Sequence, residues 1–181
     1  VAGLSQGLTT LLTVDVGGTS CDIALVSQGK PLIRPEGRID DYPIRTPMVD
    51  VNAIGAGGGS IAWVDGSGSL RVGPHSAGSQ PGPACYGRGG EEATDASIVL
   101  GYIDPEYFAG GSLRLAPDLA RKAVGSLSQR TNMGVEEVAL GIHRVVNAQM
   151  AEGLRLVSIR QGFDPRTFSL IPLGGAGGLH A

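Results

Sequence analysis

The sequence predicts an α/β fold, and three observations predict it. Short β-rich apolar runs fill the first part of the chain, helical periodicity runs from Pro117 to about Arg160, and an apolar strand returns at "TFSLIPL". A glycine pair follows an apolar run near each end, Gly17-Gly18 after residues 11–16 and Gly174-Gly175 after that last strand.

The elements follow in order. Residues 11–16 form a strand, Gly17-Gly18 breaks it, and Ile23 to Val26 resume it. A "SQGK" turn leads to a third strand near Leu32 to Arg34, which makes a β-meander. "MVDVNAI" reads as one further strand, and Ile61 to Val64 with Leu70 to Val72 form a hairpin across "DGSGS". Residues 73–90 hold too much glycine and proline for regular structure. Thr94-Asp95 is suited to cap a short helix carrying Ile98, Val99 and Tyr102. Pro117 sits well as the first residue of a helix to about Arg130, with Leu119, Ala123, Val124 and Leu127 on one side. From Gly134 to about Arg160, Val138, Ile142, Val145, Val146, Met150, Leu154 and Val157 recur at helical spacing, and Met150 belongs to that apolar face.

Composition narrows the function classes. The chain of 181 residues is 41% hydrophobic and 17% charged, the proportions of one globular domain. A net charge of -3 with scattered basic residues argues against nucleic-acid binding. The two cysteines, Cys21 and Cys85, are too few for a disulfide framework. No export leader or long apolar span is visible, so a cytoplasmic setting without membrane contact is expected. The 30 glycines are more than twice the usual share of about 7%. They cluster where turns are tight or where backbone approaches a ligand. The first residue is not methionine and the last run is "GGAGGLHA", so a segment cut from a larger protein is expected.

The chemistry lies at the glycine pairs. Asp15 ends a strand and Gly17-Gly18-Thr19 follows at once. Such a turn lets backbone N–H groups and a hydroxyl point at phosphate oxygens, while a strand-end carboxylate holds the neutralising metal. The same residues also suit a plain hairpin with a solvated aspartate. "LIPLGGAGG" repeats the pattern, and two such turns together are what a nucleotide cleft between sheet and helices needs. "GAGGGS", residues 55–60, reads as a second anion loop, a lid, a flexible connector or a close-packed turn; Asp22 lies toward or away from the turn according to the pleat. His75 and Cys85 share the 73–90 segment, with His143 and His180 elsewhere, too few ligands for a transition-metal site.

Several segments together carry a family resemblance: "DVGGTSCDIALV", "IGAGGGSIAWVD", "LRVGPHSAGSQPGPACYGRGG", "TDASIVLGYID", "NAQMAEGLRLVSIRQGFDPRTFSL" and "PLGGAGGLHA". In this order they resemble the A-type subunit of the hydantoinase/oxoprolinase family over nearly the whole chain. The resemblance implies an actin-like ATPase (ribonuclease H-like) α/β fold with a mixed sheet and packed helices. Residues 1–181 would be its second half, with a phosphate-type motif at 11–26 and an adenosine-type motif at 170–181. It implies ATP and Mg2+, with Gly17, Gly18 and Thr19 at the phosphates. Asp15 would serve the magnesium shell or the chemistry, and Gly174 and Gly175 would lie beside the adenosine. Gly178, Pro172 and His75 depart from the family's usual residues.

The resemblance also implies a reaction, the ATP-dependent opening of a cyclic amide of the hydantoin or 5-oxoproline type by phosphorylation of its carbonyl oxygen. Alternatives are an ATP-dependent ketone carboxylase and a non-catalytic actin-like scaffold. Expected partners are the N-terminal half of the same polypeptide and a B-type subunit, and the segment alone is expected to be inactive.

Overall fold

The computed structural model describes residues 2–39, 41–90 and 92–181. A short helix α1 (Ala2–Ser5) precedes β1 (Leu11–Val16), which turns at the glycines into β2 (Cys21–Ser27). Alternation sets the sheet's faces: Leu12, Val14 and Val16 are buried while Thr13 is half-buried and Asp15 exposed. β3 (Lys30–Pro31) extends the meander, and short strands follow as β4 (Ile33–Arg34), β5 (Gly37–Ile39), β6 (Tyr42–Ile44) and β7 (Met48–Val49). The strand expected near 32–34 is β4, which pairs with β7 rather than with β2, while the meander continues through Lys30–Pro31; "MVDVNAI" is divided at Asp50, whose N–H bonds the Leu32 carbonyl instead of a strand ladder. Its second part, β8 (Val51–Ile54), pairs antiparallel with β2.

A hairpin of β9 (Ser60–Val64) and β10 (Leu70–Ser76) comes next, longer than the periodicity indicated. Residues 77–90 are irregular apart from a 3-10 turn at Ala84–Tyr86 and an isolated bridge between Pro83 and Gly90. α2 (Ala93–Val99) begins one residue before Thr94, with Glu92 as its N-cap, and Tyr102 lies beyond its end. Thr94-Asp95 is therefore the first turn of the helix rather than its cap. A 3-10 segment at Phe108–Gly111 leads to α3 (Pro117–Thr131), which starts on its proline and ends at left-handed Asn132. The long helix α4 (Val135–Arg160) has Glu136 and Glu137 in its first turn and Arg160 in its last, matching the helix dipole. β11 (Ser169–Leu173) and a terminal turn of helix, α5 (Gly177–His180), complete the chain.

The main sheet is mixed, in the order β11-β1-β2-β3 with β8 also on β2. β11 runs parallel to β1, with Asp15 opposite Leu173, so both glycine turns leave the same end of the sheet. α4 lies across the sheet through Ile142, Val146, Met150 and Val157, all buried with Ile23 and Leu25. Burying each such side chain contributes about 1.5–3 kcal/mol. A second small cluster of Cys85, Ile98, Leu115 and Ala120 holds the segment between the hairpin and α4 together. Sheet and packed helices are the α/β class that the residues predict. Among the described residues no helix is long and apolar enough to cross a membrane.

Candidate functional site

Glycine segments from distant parts of the chain stack on one another at the end of β1. The turn after β1 closes with Gly17 N–H donating to the Ser20 carbonyl at 3.0 Å. The 55–60 segment lies against it: Gly58 N–H donates to the Gly17 carbonyl at 3.0 Å and Gly59 N–H to the Gly18 carbonyl at 2.6 Å. Thr94 then caps this stack, giving its N–H at 2.9 Å and its hydroxyl at 2.8 Å to the Gly58 carbonyl. On the other side Ala176 N–H donates to the Val16 carbonyl at 3.1 Å, bringing in the 174–177 turn.

Close backbone approach explains the residue type at Gly59 and Gly174. A β-carbon on Gly59 would stand 2.7 Å from the Gly18 carbonyl oxygen. Gly174 has φ +78, and a β-carbon there would collide with Asp15 Oδ1 and the Val16 carbonyl. Of the readings open for the "GAGGGS" segment the structure takes the close-packed one: residues 56–60 are buried beneath the first glycine turn, and only Gly55 is exposed.

These turns open onto one cavity of about 420 Å³. Gly17, Gly18, Gly58, Thr94, Gly175 and Ala176 line it together with Tyr86, Ile103, Phe108, Ala109 and Leu179. Of the residues expected at a nucleotide site, Gly17, Gly18 and Gly175 meet at this cavity. Gly174 shapes the turn from behind, Asp15 sits exposed beside it, and Thr19 is exposed outside the lining. Asp22 pairs in register with Asp15, which puts both carboxylates on one face of the sheet. Sequence reading missed Thr94, Tyr86, Ile103 and Phe108. Only Thr94 carried a signal, its place at the start of a helix just beyond a glycine-rich loop.

Behind the cavity lies a buried acidic pair. Asp95 accepts from the N–H groups of Ala84 at 3.0 Å, Cys85 at 2.8 Å and Glu92 at 3.2 Å. Loss of solvent still pushes its pKa above the usual carboxylate range. Glu92 is fully buried, and among the described residues neither of its carboxyl oxygens has a hydrogen-bond partner. Burial, with Asp95 adding to it, raises its pKa to about 8, so it is protonated at neutral pH. Desolvation likewise pushes the Cys85 thiol far up, which makes it an inert packed side chain. His75 is exposed and distinct in environment from buried Cys85, and among the described residues no group of three or more His, Cys, Asp or Glu is placed to hold a metal ion.

The terminal helix turn is tied to α4 by Asn147, which accepts from His180 Nδ1 at 2.7 Å and donates to His143 Nε2 at 3.0 Å. The two imidazoles stack with centroids 5.1 Å apart. Burial, with His143 as a lesser cause, holds the His180 pKa down at about 4.

A sequence model of the hydantoinase/oxoprolinase family matches residues 1–181. The chain belongs to the hydantoinase/oxoprolinase family. It is 46% identical over 177 residues to the caprolactamase subunit alpha of Pseudomonas jessenii, matching 96% of this chain and 25% of that relative. The acetophenone carboxylase gamma subunit of Aromatoleum aromaticum is 41% identical, covering 96% of this chain and 24% of its own length. The chain thus spans about a quarter of the length of the curated relatives it matches. The crystal structure of the ATP-dependent caprolactamase from Pseudomonas jessenii superposes with a TM-score of 0.87 at 45% identity, over 98% of this chain and 26% of that one. A nucleotide-free acetone carboxylase structure superposes at 0.88 with 29% identity, over 99% and 26%. The shared α/β arrangement is consistent with the actin-like ATPase type, and the relatives of this hydantoinase/oxoprolinase segment include an ATP-dependent caprolactamase and an ATP-dependent acetone carboxylase.

Proposed function

We propose that residues 1–181 are the second half of an actin-like ATPase core, and that the full-length protein opens a cyclic amide at the expense of ATP. The observation that supports this most is the convergence of the turns at Gly17-Gly18 and Gly175-Ala176, with Gly58 and Thr94, on one cavity. Backbone at a glycine turn approaches an anion closely, and the Thr94 hydroxyl stands beside it. Asp15 and Asp22 on one sheet face are a donor set that suits Mg2+, which takes one or two carboxylates and completes its shell with phosphate and water. Magnesium there would neutralise charge on the phosphate oxygens.

The proposed reaction balances as follows. The amide oxygen takes the γ-phosphoryl group and ADP leaves; water adds to the activated carbon, the ring C–N bond of that adduct breaks as nitrogen takes a proton and leaves an acyl phosphate, and a second water releases phosphate and the free carboxylate. This chain's part is to hold the triphosphate at the glycine turns and to keep Asp15 beside it. Positioning and charge neutralisation carry most of the catalysis in phosphoryl transfer. The opposing phosphate turn would come from the N-terminal half, with a B-type subunit as partner, and the segment alone would turn over no substrate. The amide reading draws on the caprolactamase relative.

A second reading is favoured by the acetophenone and acetone carboxylase relatives, in which an enol phosphate formed from the ketone would pass its phosphoryl group to water and the enolate so released would add to carbon dioxide. Both are tested by assaying ATP turnover of the full-length protein and its partner with lactams, hydantoins and 5-oxoproline, and with ketones plus bicarbonate. Lactam-stimulated turnover without bicarbonate supports the first reading; turnover that needs ketone and bicarbonate together replaces it with the second. Dependence on neither sinks both.

A further inference from the structure

The cavity's apolar side is not explained by phosphate binding. Tyr86, Ile103, Phe108 and Leu179 bring rings and branched chains to the same space as Gly17, Gly18 and Thr94. The Tyr86 and Phe108 rings stand 5.9 Å apart and tilted by 48°, an aromatic corner rather than a closed stack. This corner is built on firm supports. Phe108 and Ile103 pack against the small core of Cys85, Ile98, Leu115 and Ala120. Tyr86 ends the 84–86 turn, whose two preceding N–H groups are held by the buried Asp95 carboxylate at 3.0 and 2.8 Å. The Cys85 carbonyl in turn accepts from Ala116 N–H at 2.8 Å, tying the turn to the start of α3. Helix α2 thus carries Thr94 to the polar side of the cavity and, one residue on, Asp95 to the anchor of its aromatic side.

We propose that Tyr86 and Phe108 form a packing wall for the heteroaromatic base of the bound nucleotide, and that this wall, not the glycine turns, supplies the base's share of the affinity. The inference rests on the nucleotide reading of the site. A base presents a flat apolar face that packs on aromatic side chains whatever its edge groups. The volume of about 420 Å³ lies within the usual range for small-molecule sites, and one side of it is polar backbone while the other is apolar and aromatic. That division matches a ligand that is anionic at one end and flat and aromatic at the other. Asp95 holds the turn that carries Tyr86 through its bonds from the Ala84 and Cys85 N–H groups.

The test uses the full-length protein and compares Mg-ATP with Mg-tripolyphosphate, which keeps the phosphates and lacks the base. Calorimetric affinities are measured for the wild type and for Tyr86→Ala, Phe108→Leu and Tyr86→Phe. Tyr86→Ala and Phe108→Leu are expected to weaken ATP by about tenfold or more while leaving tripolyphosphate within about twofold, and Tyr86→Phe to retain ATP affinity. Phe108→Leu keeps the apolar core filled, so its loss reports the ring and not unfolding. Unchanged ATP affinity in both ring-removing variants overturns the wall, as does an equal loss for ATP and tripolyphosphate. A wild type that binds tripolyphosphate as tightly as ATP also overturns it while leaving the phosphate site standing; a wild type that binds neither overturns the nucleotide reading itself.

Discussion

Gly59 gives its N–H to the carbonyl of Gly18 at 2.6 Å, and that same oxygen lies 2.7 Å from where a β-carbon on Gly59 would stand. The hydrogen bond and the missing side chain are one arrangement: the two backbones meet only because nothing projects between them. Gly59→Ala is therefore expected to lower stability by about 1–3 kcal/mol, since the obstructing atom is backbone and does not rotate away. Gly66, which has open space around its β-carbon position, is the control and should tolerate alanine with little change. Urea midpoints of the two variants check this, and equal midpoints would refute the packed-strip account.

Asp15 and Asp22 face each other across the β1–β2 ladder, beside the first glycine turn. Asp15 is exposed and Asp22 half-buried, so neither is needed to fill a core. In the full-length protein, Asp15→Asn is expected to lower ATP turnover by about a hundredfold or more, in line with loss of a group that organises phosphoryl transfer. Asp22→Asn should instead shift the magnesium concentration needed for half-maximal turnover upward. A magnesium titration of both variants separates the roles; a wild-type magnesium dependence in Asp22→Asn would remove that residue from the metal's surroundings.

Glu92 sets a pH dependence of stability with a definite sign. Its carboxyl titrates near 4.5 when solvated and at about 8 in the fold, so between those values the folded chain holds a proton that the unfolded chain has released. The stability is fully present below about 4.5, falls as pH rises, and levels off once pH has passed about 8. Asp95, also raised, slopes the same way. Glu92→Gln should flatten this slope and raise the urea midpoint at pH 8 above wild type, because the amide holds no charge to desolvate. Chemical denaturation at several pH values reads it out, and parallel curves for the two proteins would contradict the assignment.

His180 slopes the other way at acid pH. It titrates near 6.5 when solvated and at about 4 where it lies, so acidification below 6.5 protonates the undocked state first. The docking of α5 on Asn147 is expected to be complete above 6.5 and to weaken as pH falls toward 4. Amide hydrogen exchange at residues 177–180, followed from pH 7 to 5, should speed up beyond the intrinsic pH trend in wild type. In His180→Asn that excess should vanish.

Much of the architecture is legible in the sequence. The alternation of residues 11–16, the glycine break, the apolar stripe of α4 and the return of β11 all appear where periodicity places them. The divided strand at Asp50 and the one-residue shift at the start of α2 escaped, because a hydrogen bond from a neighbouring segment and the Glu92–Asp95 contact override local preference. At the site, Gly17, Gly18 and Gly175 were legible from their place after strands. Tyr86 and Phe108 were not, since an aromatic residue in an irregular stretch carries no periodic signal.

Strand, turn and helix follow from the order of residues alone, because side-chain alternation, helical spacing and glycine's freedom at positive φ act within a few neighbours. The cavity does not. Thr94 reaches Gly58 from 36 positions away, and the parallel pairing of β11 with β1 brings Gly175 beside Gly18 across most of the chain. Those meetings depend on burying α4 and the small Ile98–Leu115 core together, a non-directional force that no short stretch of sequence encodes.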